Sequence, residues 1–236
     1  MKIPFQRTRW SLVSATKDPA TAAKALEELC SLYWYPVYAF IRRSGWPPED
    51  AKDCTQEFFV RILARGDFVK ADPALGKLRS YLLGAVRHHM AKELEKTRAL
   101  KRGGGAVFQS IEEAQAEERY ALEPVDEVTP VTLYERRWAL TILENAVQAL
   151  RASYERRDRL DEFLVLRPFL SWNSGEDYAS AAAALKRSPG AVNVAVFRLR
   201  QRFRDALIEQ ISHTLSDESE IQEELRFLCE VVSRGV

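Results

Sequence analysis

Along most of this chain hydrophobic residues recur at steps of three and four, the period of a helix. Residues 21–43 carry Ala25, Leu29, Leu32, Pro36 and Phe40 near one stripe. Pro36 is expected to kink or split that helix, because proline lacks a backbone donor and its ring crowds the preceding turn. Ser44-Gly45-Trp46-Pro47-Pro48 is a breaker, and Pro48 with Glu49 and Asp50 suits the first turn of the next helix. That helix runs to about Ala64 and buries Ala51, Cys54, Thr55, Phe58 and Ile62. A loop over 65–76 contains Gly66, Pro73 and Gly76. A third helix, from about Leu78 to Arg98, has Leu82, Val86, Met90 and Leu94 in register, and Lys101-Arg102-Gly103-Gly104-Gly105 ends it.

The stretch from Ile111 to Val131 is acidic, contains Pro124 and Pro130 and keeps no sustained period, so it reads as a tether. Thr132 and Glu135 then form a capping box ahead of Tyr134, Trp138, Ile142 and Leu150. Another helix covers roughly 158–166, and Ser174 with Asp177 repeats the capping pattern before Tyr178. A long helix follows Ser188-Pro189-Gly190, and Ile221, Leu225, Leu228 and Val232 share one face of a final amphipathic segment. The expected fold is all-α, with two small helical domains joined by an acidic linker. The expected divisions are an N-terminal extension (1–20), a first helical domain (21–102), the acidic linker (103–131), a helix-turn-helix domain (132–212) and a C-terminal helical extension (213–236).

Composition agrees with helices: Gly and Pro number only ten each among 236 residues, and 46 % of residues are hydrophobic. The formal charge of +1 hides opposed local charges. Between Gly76 and Arg102 lie Lys77, Arg79, Arg87, Lys92, Lys96, Arg98, Lys101 and Arg102 against Glu93 and Glu95, with Tyr81, His88 and His89 interleaved. A basic helix carrying aromatic rings suits a melted nucleic-acid strand, whose phosphates need cations and whose bases need stacking faces. Cys30, Cys54 and Cys229 are far apart and fit reduced structural thiols. No apolar run is long enough for a leader or a membrane span, so the expected location is cytoplasmic.

Tyr178–Lys186 and Ala191–Ile211, joined by Arg187-Ser188-Pro189-Gly190, have helix-turn-helix spacing. Ser188 can cap the second helix and Pro189 fits its first position. Val192, Val196, Leu199, Phe203 and Leu207 make its apolar back; Arg198 and Arg202 lie away from that stripe, while Arg200 and Arg204 flank it. A solvated arginine face would give the same pattern; the turn and the partner helix favour a DNA major groove.

Three segments, in order, resemble the sigma factors of bacterial RNA polymerase. Asp53-Cys54-Thr55-Gln56-Glu57-Phe58-Phe59 is similar to the D-x-x-Q-E-x-F signature of their region two. Lys77-Leu78-Arg79-Ser80-Tyr81-Leu82 and the residues through His89 are similar to the F-x-x-W-L-x-x-I-A-R-N segment. Tyr178 to Arg204 is similar to the helix-turn-helix of region four. The resemblance covers most of residues 20–212 and fits the extracytoplasmic-function type, which has regions two and four alone.

What the resemblance implies is residue-specific. Asp53, Gln56, Glu57 and Val60 would dock on core RNA polymerase. Lys77, Arg79, Ser80, Tyr81, Arg87 and His88 would meet the −10 element of promoter DNA and hold its opened strand. Ser188, Ala191, Asn193, Val194, Ala195, Arg198 and Arg202 would serve the −35 element. An anti-sigma factor is a further partner that the resemblance leaves open. The sequence departs from the pattern where Asn193 and Ala195 replace frequent basic residues and Tyr81 replaces tryptophan. An apolar start to the groove-facing helix suits thymine methyls and implies a shallower salt dependence. The tail from His213 to Val236 must bury its stripe, and intramolecular packing with a regulatory role is expected.

Other classes are less favoured. His88 and His89 point about 100° apart on a helix and make a poor chelating pair. No phosphate loop, nucleophile elbow or HExxH occurs, so neither an enzyme nor a cofactor or metal is expected. A polymerase-independent helix-turn-helix regulator is the main alternative; it would leave the Asp53–Phe59 motif unexplained.

Overall fold

The computed structural model describes residues 22–65, 77–99, 111–123, 128–171, 177–212, 214–215 and 218–233. The N-terminal extension, the loop at 66–76 and Lys101 to Gly105 lie outside the described residues. Among those described, the regular elements are all helical, and no helix is long and apolar enough to cross a membrane. The helices are α1 (Ala22–Arg43), α2 (Pro48–Arg65), α3 (Leu78–Ala99), α4 (Ile111–Ala121), α5 (Pro130–Glu155), α6 (Leu160–Leu166), α7 (Tyr178–Leu185), α8 (Pro189–Ser212) and α9 (Ile221–Ser233). Short 3-10 turns cover Arg167–Leu170 and Glu218–Glu220.

The chain divides into two compact units. The first takes residues up to Thr141 together with Ser212–Val236, and the second is Ile142–Ile211. The division falls inside α5 instead of in the acidic stretch before it, and the tail belongs to the first unit.

In the first unit α1 is the central helix. Every residue from Leu32 to Ile41 is buried, Pro36 included, and α2, α3 and α4 pack around it. The expected break at Pro36 does not occur: α1 is one continuous helix. An internal proline costs about 3 kcal/mol or more. Burial of the run from Leu32 to Ile41, with Tyr33, Val37, Tyr38 and Ile41 fully enclosed, opposes that cost, at roughly 1.5–3 kcal/mol for a large apolar side chain. Ala51, Cys54, Thr55, Phe58 and Ile62 of α2 are buried as expected. So are Leu82, Val86 and Met90 of α3, whereas Leu94 is 45 % exposed.

The acidic stretch is not simply a tether. Residues 111–121 form α4 and dock on α1. Glu117 accepts hydrogen bonds from Arg42 Nη2 at 2.7 Å and Arg42 Nε at 3.0 Å, and from the Tyr38 hydroxyl. The Tyr35 hydroxyl donates to Glu123 at 2.9 Å, and Arg137 pairs with the same carboxylate. Glu117, Tyr120 and Glu123 keep a helical spacing, but with polar side chains, which a search for apolar periodicity passes over. The start of α5 also lies one turn earlier than the capping box suggested. Thr129 Oγ1 accepts from the Thr132 amide at 3.1 Å and Pro130 takes the first helical position.

The second unit is built from the end of α5 with α6, α7 and α8. Leu150, Tyr154, Phe163, Leu166, Phe169, Val192, Val196 and Leu199 close its core over the small Ala181 and Ala182 of α7. Asp177 caps α7, its Oδ1 accepting from the Ala179 amide at 2.8 Å. Lys186 ends the helix in the left-handed region at φ 51. Ser188 Oγ accepts from the Ala191 amide at 3.3 Å, so the expected cap of α8 is present. Buried Glu162 on α6 ties this turn down through Arg187, at 3.0 Å, and Arg159, at 2.7 Å. Burial would raise the Glu162 pKa, but hydrogen bonds from Arg187 and Arg159 prevail and hold it below the usual carboxylate range.

Candidate nucleic-acid interface

The sequence-predicted residues occupy distinct surfaces. On α2, the apolar side faces α1, so the opposite side is left to solvent. Asp53 and Glu57 are exposed there, Gln56 is half-buried, and Val60 is 64 % exposed. An acidic face with a projecting aliphatic side chain at its end is thereby assembled from the four predicted positions. Such a face can meet arginines around an apolar contact.

Next to it, α2 and α3 enclose an open groove of about 460 Å³. Phe58, Arg61, Tyr81, His88 and Lys92 line it, with Ser80 at its side. Ser80, Tyr81 and His88 of the predicted strand-binding set are therefore brought together. Arg61 and Lys92 join them, although the motif had singled out neither. The Tyr81 ring, the Lys92 ammonium and the His88 imidazole around one concavity provide stacking and phosphate-pairing groups together. Arg87 lies outside the groove, exposed, with its guanidinium 5.9 Å from the Phe40 ring.

Behind the groove lies a charged network. The Arg61 guanidinium is 3.5 Å from Glu93, 3.8 Å from Glu57 and 3.2 Å from Nδ1 of His89. The ligand atoms of Glu57, His89 and Glu93 lie within 4.8 Å of one another, which would suit a metal ion. The guanidinium among them already supplies the positive charge. Burial lowers the His89 pKa, the carboxylates of Glu93 and Glu57 opposing it, so the ring is held toward its neutral form. Beneath, burial pushes the Cys54 thiol up to about 12, so it is an inert core group.

Lys77 and Arg79 stand apart from the groove, under α9. Arg79 is only 8 % exposed, and its Nε lies 2.6 Å from Oε1 of Glu224, itself fully buried. The guanidinium sits 3.8 Å from the Phe227 ring centroid and 5.4 Å from that of Trp138. Glu135 is 3.7 Å away, and the Tyr134 hydroxyl donates to the Arg79 carbonyl. Lys77 Nζ is 2.8 Å from both Glu223 and Glu224. Burial would lower the Lys77 pKa, but these hydrogen bonds outweigh it and raise the value. The tail's stripe is accordingly rotated from expectation: Glu224, Leu228 and Val231 are buried, while Ile221, Leu225 and Val232 are half-covered. The buried arginine draws a carboxylate inward.

In the second unit, Ser188, Ala191, Asn193 and Arg198 are exposed and Val194 is 49 % exposed. Ala195 is half-buried against the core, and Arg202 lies over the Tyr154 ring at 5.4 Å, so these two sit at the edge of the face. Phe197, which the motif reading passed over, is 63 % exposed between Val194 and Arg198. Its signal was positional: it falls off the buried Val192, Val196 and Leu199 stripe. Arg200 turns back to donate to the Phe169 carbonyl at 3.1 Å. Comparisons of the chain with protein-family models, with curated proteins and with solved structures find no match.

Proposed function

We propose that this protein is a transcription initiation factor of the sigma type, which binds core RNA polymerase and lends it promoter specificity. The observation that carries the reading is the outer face of α2, where Asp53, Glu57 and Val60 are exposed on the side away from the core. A single exposed aliphatic is ordinary on a protein surface; what supports the reading is that Val60 shares one outward side of α2 with Asp53, Gln56 and Glu57, the four positions that the resemblance assigns to polymerase docking. In this reading the groove between α2 and α3 receives the opened −10 strand, with Tyr81 stacking and Arg61, His88 and Lys92 near the backbone. The −35 element is met by Ala191, Val194, Phe197 and Arg198 of α8, acting as the recognition helix of a helix-turn-helix. Apolar contact from these side chains favours thymine methyls, and Arg198 supplies a guanidinium for guanine or phosphate.

The test is association with core RNA polymerase, followed by transcription from a genomic promoter library. The wild-type chain is expected to co-elute with core enzyme and yield discrete start sites. Asp53→Lys with Val60→Asp, changes at exposed positions outside the Arg61 network, should abolish co-elution without lowering the melting temperature. A folded wild-type chain that ignores core enzyme overturns the proposal. The exposed face of α8 favours a second reading, a regulator that acts without polymerase. That protein would bind duplex DNA tightly alone and would not change start-site selection by core enzyme.

A further inference from the structure

Two acidic side chains of α9 occupy cations that α3 would otherwise present to a nucleic-acid backbone. Lys77 Nζ is 2.8 Å from a carboxylate oxygen of Glu223 and 2.8 Å from one of Glu224. Arg79 holds the other oxygen of Glu224 through Nε at 2.6 Å, with Nη2 of Arg79 at 3.3 Å from Oε2. Two oxygens of one anionic group, held by two neighbouring cations at these distances, are what a phosphate would also supply. The contact is more than a surface ion pair. Phe227 stacks on the Arg79 guanidinium at 3.8 Å and lies 6.2 Å from the Trp138 ring, and Leu228 and Val231 are buried behind it. The segment is acidic as a whole, with six acidic residues against Arg226 and Arg234 over 213–236.

We propose that α9 is an internal competitor for the basic start of α3: its Glu223 and Glu224 mimic phosphates and keep Lys77 and Arg79 from single-stranded DNA until α9 is displaced. This rests on the reading of the first unit as a strand-binding surface, and it assigns that surface a regulator carried in the same chain. Displacement is feasible because α9 has only 13 residues, and a helix that short is marginal once its packing is lost. The occluded state is the one described here. The open state exposes Lys77 and Arg79 as a second basic patch at the head of α3, apart from the groove that Ser80 and Tyr81 line.

The experiment uses the full chain and a fluorescent twenty-nucleotide thymidine oligomer, read by anisotropy across a salt series. Glu223→Gln with Glu224→Gln removes the mimic; Phe227→Ala loosens the same helix without changing charge. Glu220→Gln with Glu230→Gln alters charge by the same amount in the same segment while leaving Glu223 and Glu224 in place. Both releasing variants should bind the oligomer roughly tenfold or more tightly at low salt, with a log–log salt slope steeper by about 1.4 for two freed cations. The control pair should stay near wild type. Hydrogen exchange over residues 221–233 reports release of α9 directly. Equal affinity in all chains overturns the masking, and so does equal tightening by the control pair, which would mean long-range charge alone. If release is seen by exchange and no chain binds the oligomer, nothing was masked and the proposal fails. Binding to core RNA polymerase, measured in parallel, separates the two ideas. Polymerase association without masking sinks only the competitor, and masking without association sinks only the polymerase reading.

Discussion

His89 shows how a single side chain sets a pH dependence here. Its pKa is lowered in the folded chain chiefly by burial, whereas an unfolded histidine titrates near about 6.5. Below that pH the unfolded chain binds a proton that the folded one resists, so stability should fall as pH drops through about 6.5 and level off below the folded value. Thermal melts of wild type and His89→Gln across this window check it; the variant should lose the slope. Glu117 and Glu162 act in a lower window. Their pKa values are depressed, Glu117's first by the hydrogen bond from Arg42, so their contribution is present above the usual carboxylate range and lost as pH falls through the folded values. At the α7–α8 turn, Glu162→Gln leaves Arg187 and Arg159 without a countercharge. With both arginines partly exposed, a loss of about 1–2 kcal/mol is expected in denaturant unfolding. Lys186→Gly should act oppositely, adding about 0.5–1 kcal/mol, because φ 51 strains a residue with a Cβ.

At the scale of elements, the outer face of α2 and the exposed face of α8 make separable predictions. Val60→Asp, at a position 64 % exposed, should weaken association with core polymerase in co-elution while leaving thermal stability within about 0.5 kcal/mol. On α8, Arg198→Ala should weaken binding to the upstream element by about 1–3 kcal/mol if the side chain meets a base edge, scored by promoter occupancy with core enzyme. Most helices were legible in the sequence because their apolar residues repeat at helical steps, as Cys54, Phe58 and Ile62 do on α2. Three features were not. Pro36 stays within α1 because tertiary burial outweighs a local rule. Helix α4 docks through Glu117 and Tyr120, and the turn after it through Glu123, so the pattern is polar. Arg79 resembles a strand-binding residue by motif, yet it stands three residues before Leu82 and seven before Val86, on the buried stripe, where only a buried carboxylate makes it tolerable. The carboxylate comes from a helix 145 residues away in sequence, which no local pattern shows. The candidate site was legible at the face of α2, at Ser80, Tyr81 and His88, and at most of the α8 face; Arg61, Lys92 and Phe197 needed the folded arrangement to stand out.

For the molecule as a whole, the acidic helices α4 and α9 are clasped onto basic positions of the first unit, Arg42 on one side and Lys77 with Arg79 on another. Over the whole chain 35 Lys and Arg stand against 34 Asp and Glu, which leaves a net charge of +1 and an isoelectric point near 7.7. Mutual repulsion between copies is therefore weak at neutral pH, and the long-range field that would speed encounters with DNA is largely cancelled. Light scattering should find the protein least soluble close to pH 7.7 and more dispersed as moderate salt is added. Glu223→Gln with Glu224→Gln should raise the pH of that minimum. So even a balance makes the chain a weak polyelectrolyte, and an anionic partner is met through local groups and not through a broad field.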